Sequence, residues 1–180
     1  MFEDVDGVVF DLDGTLVELA VDWERVRDDI RGVLENHGID SSSEDTWELL
    51  DRGVAAGHEA DIESVLSTHE LGGASTSDRL PLADALVELE HPVGVCSLNC
   101  EAACRRALET HDLASHVDAV IGRDSVPTRK PAPEPLLTAL DEIGVPPEAG
   151  VFIGDSESDA VSAARADVPF RSVTEIVDTL

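Results

Sequence analysis

Along 180 residues the chain carries Asp11, Asp13, Ser97, Lys130, Asp155 and Asp159 in that order, and Lys130 is its only lysine. A single ammonium kept among 39 acidic residues, inside Arg129-Lys130-Pro131-Ala132-Pro133, points to a specific task. The task expected of it is to hold an anion such as phosphate beside a cluster of carboxylates that binds a metal. Asp11-Leu12-Asp13-Gly14-Thr15 supplies the first acids. Side chains alternate along extended chain, so Asp11 and Asp13 share one side and Leu12 turns away. Two carboxylates aimed together repel, and a cation or a shared proton relieves them. A hard divalent ion with oxygen ligands, Mg2+ above all, suits the pair. An isolated Asp-x-Asp-Gly also serves as a turn with solvated acids, so the remaining motifs must decide.

Val95-Cys96-Ser97-Leu98-Asn99 reads as a strand that ends just before a helix. Helix N-termini offer unpaired N–H groups and partial positive charge to an anion, which makes Ser97 a candidate phosphate ligand. Asn99 fits a helix cap better. Around Lys130, Pro131 and Pro133 stiffen the backbone and a helix begins close behind. Val151 to Asp159 reads as a strand, a tight turn and a helix start, with Asp155 at the strand's carboxyl end, where open α/β sheets bind ligands. Ser156 and Asp159 fit a capping box, a structural alternative to metal binding for Asp159.

These motifs need a frame. Short apolar runs at Val5–Phe10, Val93–Cys96, Val117–Ile121, Val151–Ile153 and, more weakly, Val168–Val173 have the character of strands buried on both faces. Helical spacing of apolar residues over Cys100–Thr110 and Pro135–Ile143 separates them. The alternation predicts an α/β fold, a Rossmann-like parallel sheet with helices on both faces. Residues 18–79 break it with consecutive helices over Val21–His37, Ser43–Ala56 and Ala60–Leu71. Gly38 and Gly57 mark stops, and Gly72-Gly73-Ala74-Ser75 reads as a linker. The expected layout is a core of residues 1–17 and 80–180 with a small helical cap, 18–79, inserted after the first strand.

Composition narrows the function. With 42% hydrophobic residues the chain folds, and its net charge of -27 repels a nucleic-acid backbone. Such acidity, with eleven arginines to one lysine, fits a protein adapted to molar salt, where the screening length falls to about 3 Å. No long apolar run spans a membrane, and Met1-Phe2-Glu3-Asp4 lacks the basic start of a signal peptide, so a cytoplasmic protein is expected. Cys96, Cys100 and Cys104 read as small buried thiols, since their odd count argues against disulfides and no fourth ligand completes a metal site.

The four motifs together resemble the haloacid dehalogenase superfamily of Asp-nucleophile hydrolases, in particular its phosphatase branch related to phosphoglycolate phosphatase. Phe10 to Leu16 matches the first motif, Ser97 the second, Lys130 to Pro135 the third and Gly154 to Asp159 the fourth. The resemblance covers nearly the whole chain, and the insertion lies where that branch carries a helical cap. Ala164-Arg165-Ala166 departs from the Ala-Gly often found in the family, a matter of local packing. The resemblance implies that Asp11 attacks phosphorus and forms an aspartyl-phosphate. Asp13 would protonate the leaving alkoxide and then activate water. Mg2+ would be held by Asp11, the backbone carbonyl of Asp13 and Asp155, with Asp159 ligating directly or through water. Ser97, with the backbone at Leu98 and Asn99, would hold the phosphate oxygens, and Lys130 would spread its charge over Asp11 and the phosphate.

The implied partner is a small phosphorylated metabolite, handled by a monomer or weak homo-oligomer whose cap opens and closes. Asp13 separates the chain from dehalogenases, whose halide leaves without a proton. A phosphomutase uses the same core residues. A phospho-accepting receiver domain also sets acids, Mg2+, a hydroxyl and a lysine on a parallel sheet, but its acid pair precedes its phospho-acceptor strand and no helical insertion follows strand one. Arg25, Arg27, Arg31 and Arg52 lie in the cap helices, as candidates for a second anionic group or as an ordinary solvated face. None of the six histidines falls in a motif.

Overall fold

The computed structural model describes residues 4–43 and 45–178. In chain order its elements are β1 (Gly7–Phe10), β2 (Val17–Glu18), α1 (Trp23–Asn36), α2 (Thr46–Ala55), α3 (Glu59–Ala74), β3 (Asp78–Arg79), α4 (Leu82–Val87) and β4 (Val93–Cys96). Then come α5 (Glu101–Thr110), β5 (Ala119–Ile121), α6 (Glu134–Glu142), β6 (Gly150–Gly154), α7 (Glu157–Ala166), β7 (Phe170–Ser172) and α8 (Val173–Val177).

Five strands form one parallel sheet in the order β5-β4-β1-β6-β7. β1 lies at its centre, with Val8 opposite both Val93 and Val151. Alternate residues of β1 feed two cores. Val8 and Phe10 pack with Leu82, Leu86, Ala103 and Leu108 on one face, and Val9 packs with Leu136, Leu140, Phe152 and Ala163 on the other. Helices therefore cover both faces, as expected of the α/β reading. Full burial of Phe10 and Phe152 contributes about 1.5–3 kcal/mol each. After β1 the chain builds β4 and β5 on one side, then crosses to build β6 and β7 on the other. The order reverses at β1, which opens a crevice beyond the carboxyl ends of β1, β4 and β6.

Helices α1, α2 and α3 close a cluster of their own around Val26, Ile30, Leu34, Leu49, Leu50, Ile62 and Leu66. The chain leaves and re-enters through β2 and β3, paired antiparallel with Val17 opposite Arg79. This ribbon and α4 are too short to show a period in the sequence. One expectation is corrected outright. The Gly72-Gly73 stretch, read as a linker, is helical, and α3 continues to Ala74. Gly73 is buried against the backbone of Ala20, where a Cβ would collide. Close packing, which needs the missing side chain, overrides glycine's poor helix propensity. β1 and β7 are also shorter than the apolar runs that announce them, and Val173 begins α8. Among the described residues no helix is long and apolar enough to cross a membrane.

Candidate active site

Three parallel strand tips and one loop deliver the motif residues to the crevice. Asp11 extends β1, its N–H donating to the Ile153 carbonyl at 2.8 Å. Leu12 then turns into the core, fully buried, while Asp11 and Asp13 both line the cleft. The chain folds back over residues 14–17, with Gly14 at φ +79°, a conformation glycine adopts freely. A side chain at Gly14 would also run into the Asp155 carboxylate. Asp13 is fixed by the same reversal, its Oδ1 accepting the Leu19 N–H at 2.7 Å.

From β6 come Asp155 and, one turn into α7, Asp159. Asp159 closes the anticipated capping box: its Oδ2 accepts the Ser156 N–H at 3.1 Å and the Ser156 hydroxyl at 2.6 Å. Its other oxygen, Oδ1, accepts Lys130 Nζ at 2.6 Å. The two readings of Asp159, cap and site residue, thus meet in one side chain. Lys130, only 4% exposed, also donates to Asp11 Oδ1 at 2.9 Å and to the Cys96 carbonyl at 3.0 Å, so all three of its donors are engaged. Its peptide bond to Pro131 is cis.

Charge is crowded here. Burial pushes Asp11 up to about 7; Lys130 pulls against that shift and Asp159 adds to it. Burial likewise carries Asp13 to about 6 despite the Leu19 N–H, with Glu18, Asp155 and Glu70 contributing. Asp155 is raised by burial and then by Asp159. Lys130 stays charged: burial alone would lower it, but Asp11 and Asp159 together raise it above the ordinary lysine value. Ligand oxygens of Asp11, Asp155 and Asp159 lie within 4.8 Å of one another. Three carboxylates against one ammonium make a donor set fitted to a hard divalent cation. The Asp13 carboxylate stands outside that set, committed to Leu19.

At the tip of β4, Ser97 Oγ donates to Asn99 Oδ1 at 3.0 Å and accepts the Asn99 N–H at 3.2 Å. Asn99 does not cap α5. Cys100 is the N-cap, and the first N–H groups go to carboxylates: Cys100 to Glu70 at 2.9 Å and Glu101 to Asp124 at 2.7 Å. The positive helix end is thus met by the protein's own acids, and Ser97, Asn99 and Lys130 are the polar residues that line the cleft from this side. The cleft, about 210 Å³, is lined by Asp11, Asp13, Ser97, Leu98, Asn99, Lys130 and Asp155. A larger one of about 420 Å³, against Arg123 and Arg129, holds none of the motif acids. The smaller cleft is the one that gathers the motif acids, and it is the candidate site.

Two residues of that cleft escaped sequence reading. Trp23 and Trp47, the only tryptophans, reach it from α1 and α2. Each follows closely on an aspartate that caps its helix, Asp22 and Asp45, which fixes where the indole emerges. Their rarity in a chain with 3% aromatic residues was the available signal. Of the four arginines on α1 and α2, Arg27 joins Trp23 and Trp47 along a shallow outer cleft of about 290 Å³. Arg52 is tied to Asp40 and Glu48, Arg31 to Asp28 and the Ser43 carbonyl, and Arg25 is exposed. The three cysteines are free and buried, and burial pushes Cys96 up to about 12, so they are inert thiols as expected.

A family model described as haloacid dehalogenase-like hydrolase matches residues 77–173. The chain belongs to that family. It is 31% identical to a phosphoglycolate phosphatase of Cereibacter sphaeroides (strain ATCC 17029 / ATH 2.4.9), over 94% of this chain and 85% of that one. To the phosphoglycolate phosphatase of Escherichia coli (strain K12) it is 27% identical, over 96% and 82%. Among solved structures the fold is shared with CbbY from Rhodobacter sphaeroides in complex with phosphate (TM-score 0.66, 22% identity, 93% and 85% covered). It is shared also with a HAD-superfamily hydrolase, subfamily IA, variant 1, from Geobacter sulfurreducens PCA (TM-score 0.63, 24% identity, 98% and 100% covered).

Proposed function

We propose that the protein is a Mg2+-dependent phosphatase that hydrolyses a small phosphate monoester through an aspartyl-phosphate on Asp11. The observation that carries this reading is the bridge from Lys130 Nζ to both Asp11 and Asp159, with Asp155 close enough to share an ion. Lys130 holds Oδ1 of Asp11 and leaves Oδ2 to attack phosphorus in line. As the bond to the leaving oxygen breaks, Asp13 supplies the proton; its raised pKa of about 6 keeps it protonated further toward neutral pH than a free acid. Asp13 then takes a proton from the water that attacks phosphorus, releasing inorganic phosphate and restoring Asp11.

Asp11, Asp155 and the Asp13 backbone carbonyl would hold Mg2+. Asp159, with both oxygens already hydrogen-bonded, would reach it through water. When bound, the ion neutralises the approach of an anionic nucleophile to an anionic phosphate. Ser97 binds the transferring oxygens. Residues 18–79 act as the cap that shields the reaction from water, and Trp23, Trp47 and Arg27 meet the rest of the substrate. The setting is a cytoplasm of high ionic strength.

Since the named relatives are phosphoglycolate phosphatases, phosphoglycolate is the first ester to test, with p-nitrophenyl phosphate as a generic control. In molar KCl with Mg2+, turnover should continue through many equivalents of enzyme and stop on chelation. A burst that ends near one phosphoryl group per chain would instead indicate a receiver, and no turnover of any small ester would end the proposal.

A further inference from the structure

A second buried ion network lies one loop away from the cleft and contributes nothing to its lining. Arg123, 5% exposed and just beyond β5, donates through Nη1 to Glu70 Oε1 at 2.5 Å and to the Leu98 carbonyl at 2.6 Å. Nη2 reaches Glu70 Oε2 at 3.2 Å and Glu63 Oε2 at 2.8 Å, and Nε reaches Glu63 Oε1 at 3.0 Å. The Arg123 backbone N–H donates to the Asn99 carbonyl at 2.9 Å. Glu70, wholly buried on α3, spends its Oε2 on the Cys100 N–H as well. Three consecutive residues, Leu98, Asn99 and Cys100, are therefore held by only two, Arg123 and Glu70.

That stretch follows directly on Ser97, and Ser97, Leu98 and Asn99 line the cleft. Gly122 has no room for a side chain because the Glu101 backbone fills the space, so Arg123 starts from a fixed position. Burying the Arg123 guanidinium with the Glu70 carboxylate costs desolvation, and apolar residues would join α3 to the core at least as well. What apolar packing lacks is direction: bonds aimed at a chosen carbonyl and a chosen N–H.

We infer that Arg123 and Glu70 are positioning residues, which hold the 97–100 loop in the shape that accepts phosphate and make that shape depend on α3 being seated against the core. The inference rests on the phosphatase reading above. Neither residue lines the cleft, and both hold the loop; Glu70 also adds to the negative charge that raises Asp13, whereas Arg123 acts through the loop alone. Glu63 bonds the guanidinium but not the loop, and it serves as the internal control.

The test compares Glu70→Gln, Arg123→Lys and Glu63→Gln with wild type in molar KCl and Mg2+. It reads kcat, KM for p-nitrophenyl phosphate, competitive inhibition by inorganic phosphate, and thermal melts. Glu70→Gln should raise KM and the phosphate inhibition constant in parallel by about tenfold, the scale of one charged hydrogen bond, with kcat changed by less than about threefold. Arg123→Lys, whose ammonium cannot fork to both partners, should do more. Glu63→Gln should stay within about twofold on both constants even where it lowers the melt. If Arg123→Lys does not fold, Glu70→Gln decides alone. Equal KM and inhibition constants in folded Glu70→Gln and Glu63→Gln, with stability alone altered, would overturn the inference. A wild type inert toward every ester would overturn the phosphatase reading, and this inference with it.

Discussion

Two places in this molecule set one buried base between two acids, and they behave oppositely. At the cleft Lys130 bridges Asp11 and Asp159; at the junction of α3 with the core Arg123 bridges Glu63 and Glu70. The junction is closed: the planar fork of Arg123 meets both carboxylates and a carbonyl, and Glu70 takes a backbone N–H besides. The cleft is left in deficit. Asp155 and Asp13 add two more acids, and burial raises the pKa of Asp11, Asp13 and Asp155. Satisfied charge fixes geometry; negative charge in excess calls for a cation. A guanidinium suits the first task, and a compact ammonium, able to share a corner with a metal and a phosphate, suits the second.

The comparison breaks most sharply at Asp11, the proposed nucleophile. Asp11→Asn should lower kcat by at least about a thousandfold while leaving the junction and the fold intact, read by steady-state rates and a melt. Wild-type turnover in that variant would remove Asp11 from the chemistry. Next in size is Lys130→Met, which should cost about a hundredfold in kcat. It should also make the melt more dependent on Mg2+, because two buried acids lose their partner; a loss of stability without a loss of rate would make Lys130 merely structural.

Protons sharpen the contrast further. In the metal-free fold Asp11 and Asp13 keep protons up to about 7 and about 6, against 3.8 for a free aspartate. Between those limits the folded state binds more protons than the unfolded chain, so their contribution to stability is full below about pH 4 and is lost as pH rises toward 7. Under the proposed function, Mg2+ would take the place of those protons. The Mg2+-induced rise in Tm should therefore be small at about pH 5 and grow toward about pH 8, and Asp155→Asn should blunt it. A rise equal at all pH values would place the ion elsewhere. The smallest effect expected is that of bulk salt: with a net charge of -27, the melt should move up by about 5 °C or more from dilute buffer to molar KCl. Identical melts would dismiss the salt-adapted reading.

The sheet was legible because its strands are continuous apolar runs, and such runs belong to strands buried on both faces. Asp11, Asp13, Lys130 and Asp155 were legible because each sits at a fixed offset from a strand end or a proline-stiffened turn, so local chain geometry already aims it. Glu63, Glu70 and Arg123 gave no such signal. In a chain with 39 acids and eleven arginines, one more of either looks like surface. Glu70 moreover lies just before Gly72-Gly73, where propensity announced the end of a helix that packing in fact extends. The tryptophans were visible as rarities but not as a wall of the cleft, since nothing local says which way α1 and α2 face.

Local spacing on the linear chain determined the fold class and the acids, because strand alternation and turn geometry act over a few residues. Which carboxylate Lys130 would join, how far burial would raise Asp11 and Asp13, and that α3 would grip the loop after Ser97 were decided only in three dimensions. Desolvation and hydrogen-bond direction depend on neighbours dozens of residues away, and no local pattern encodes them.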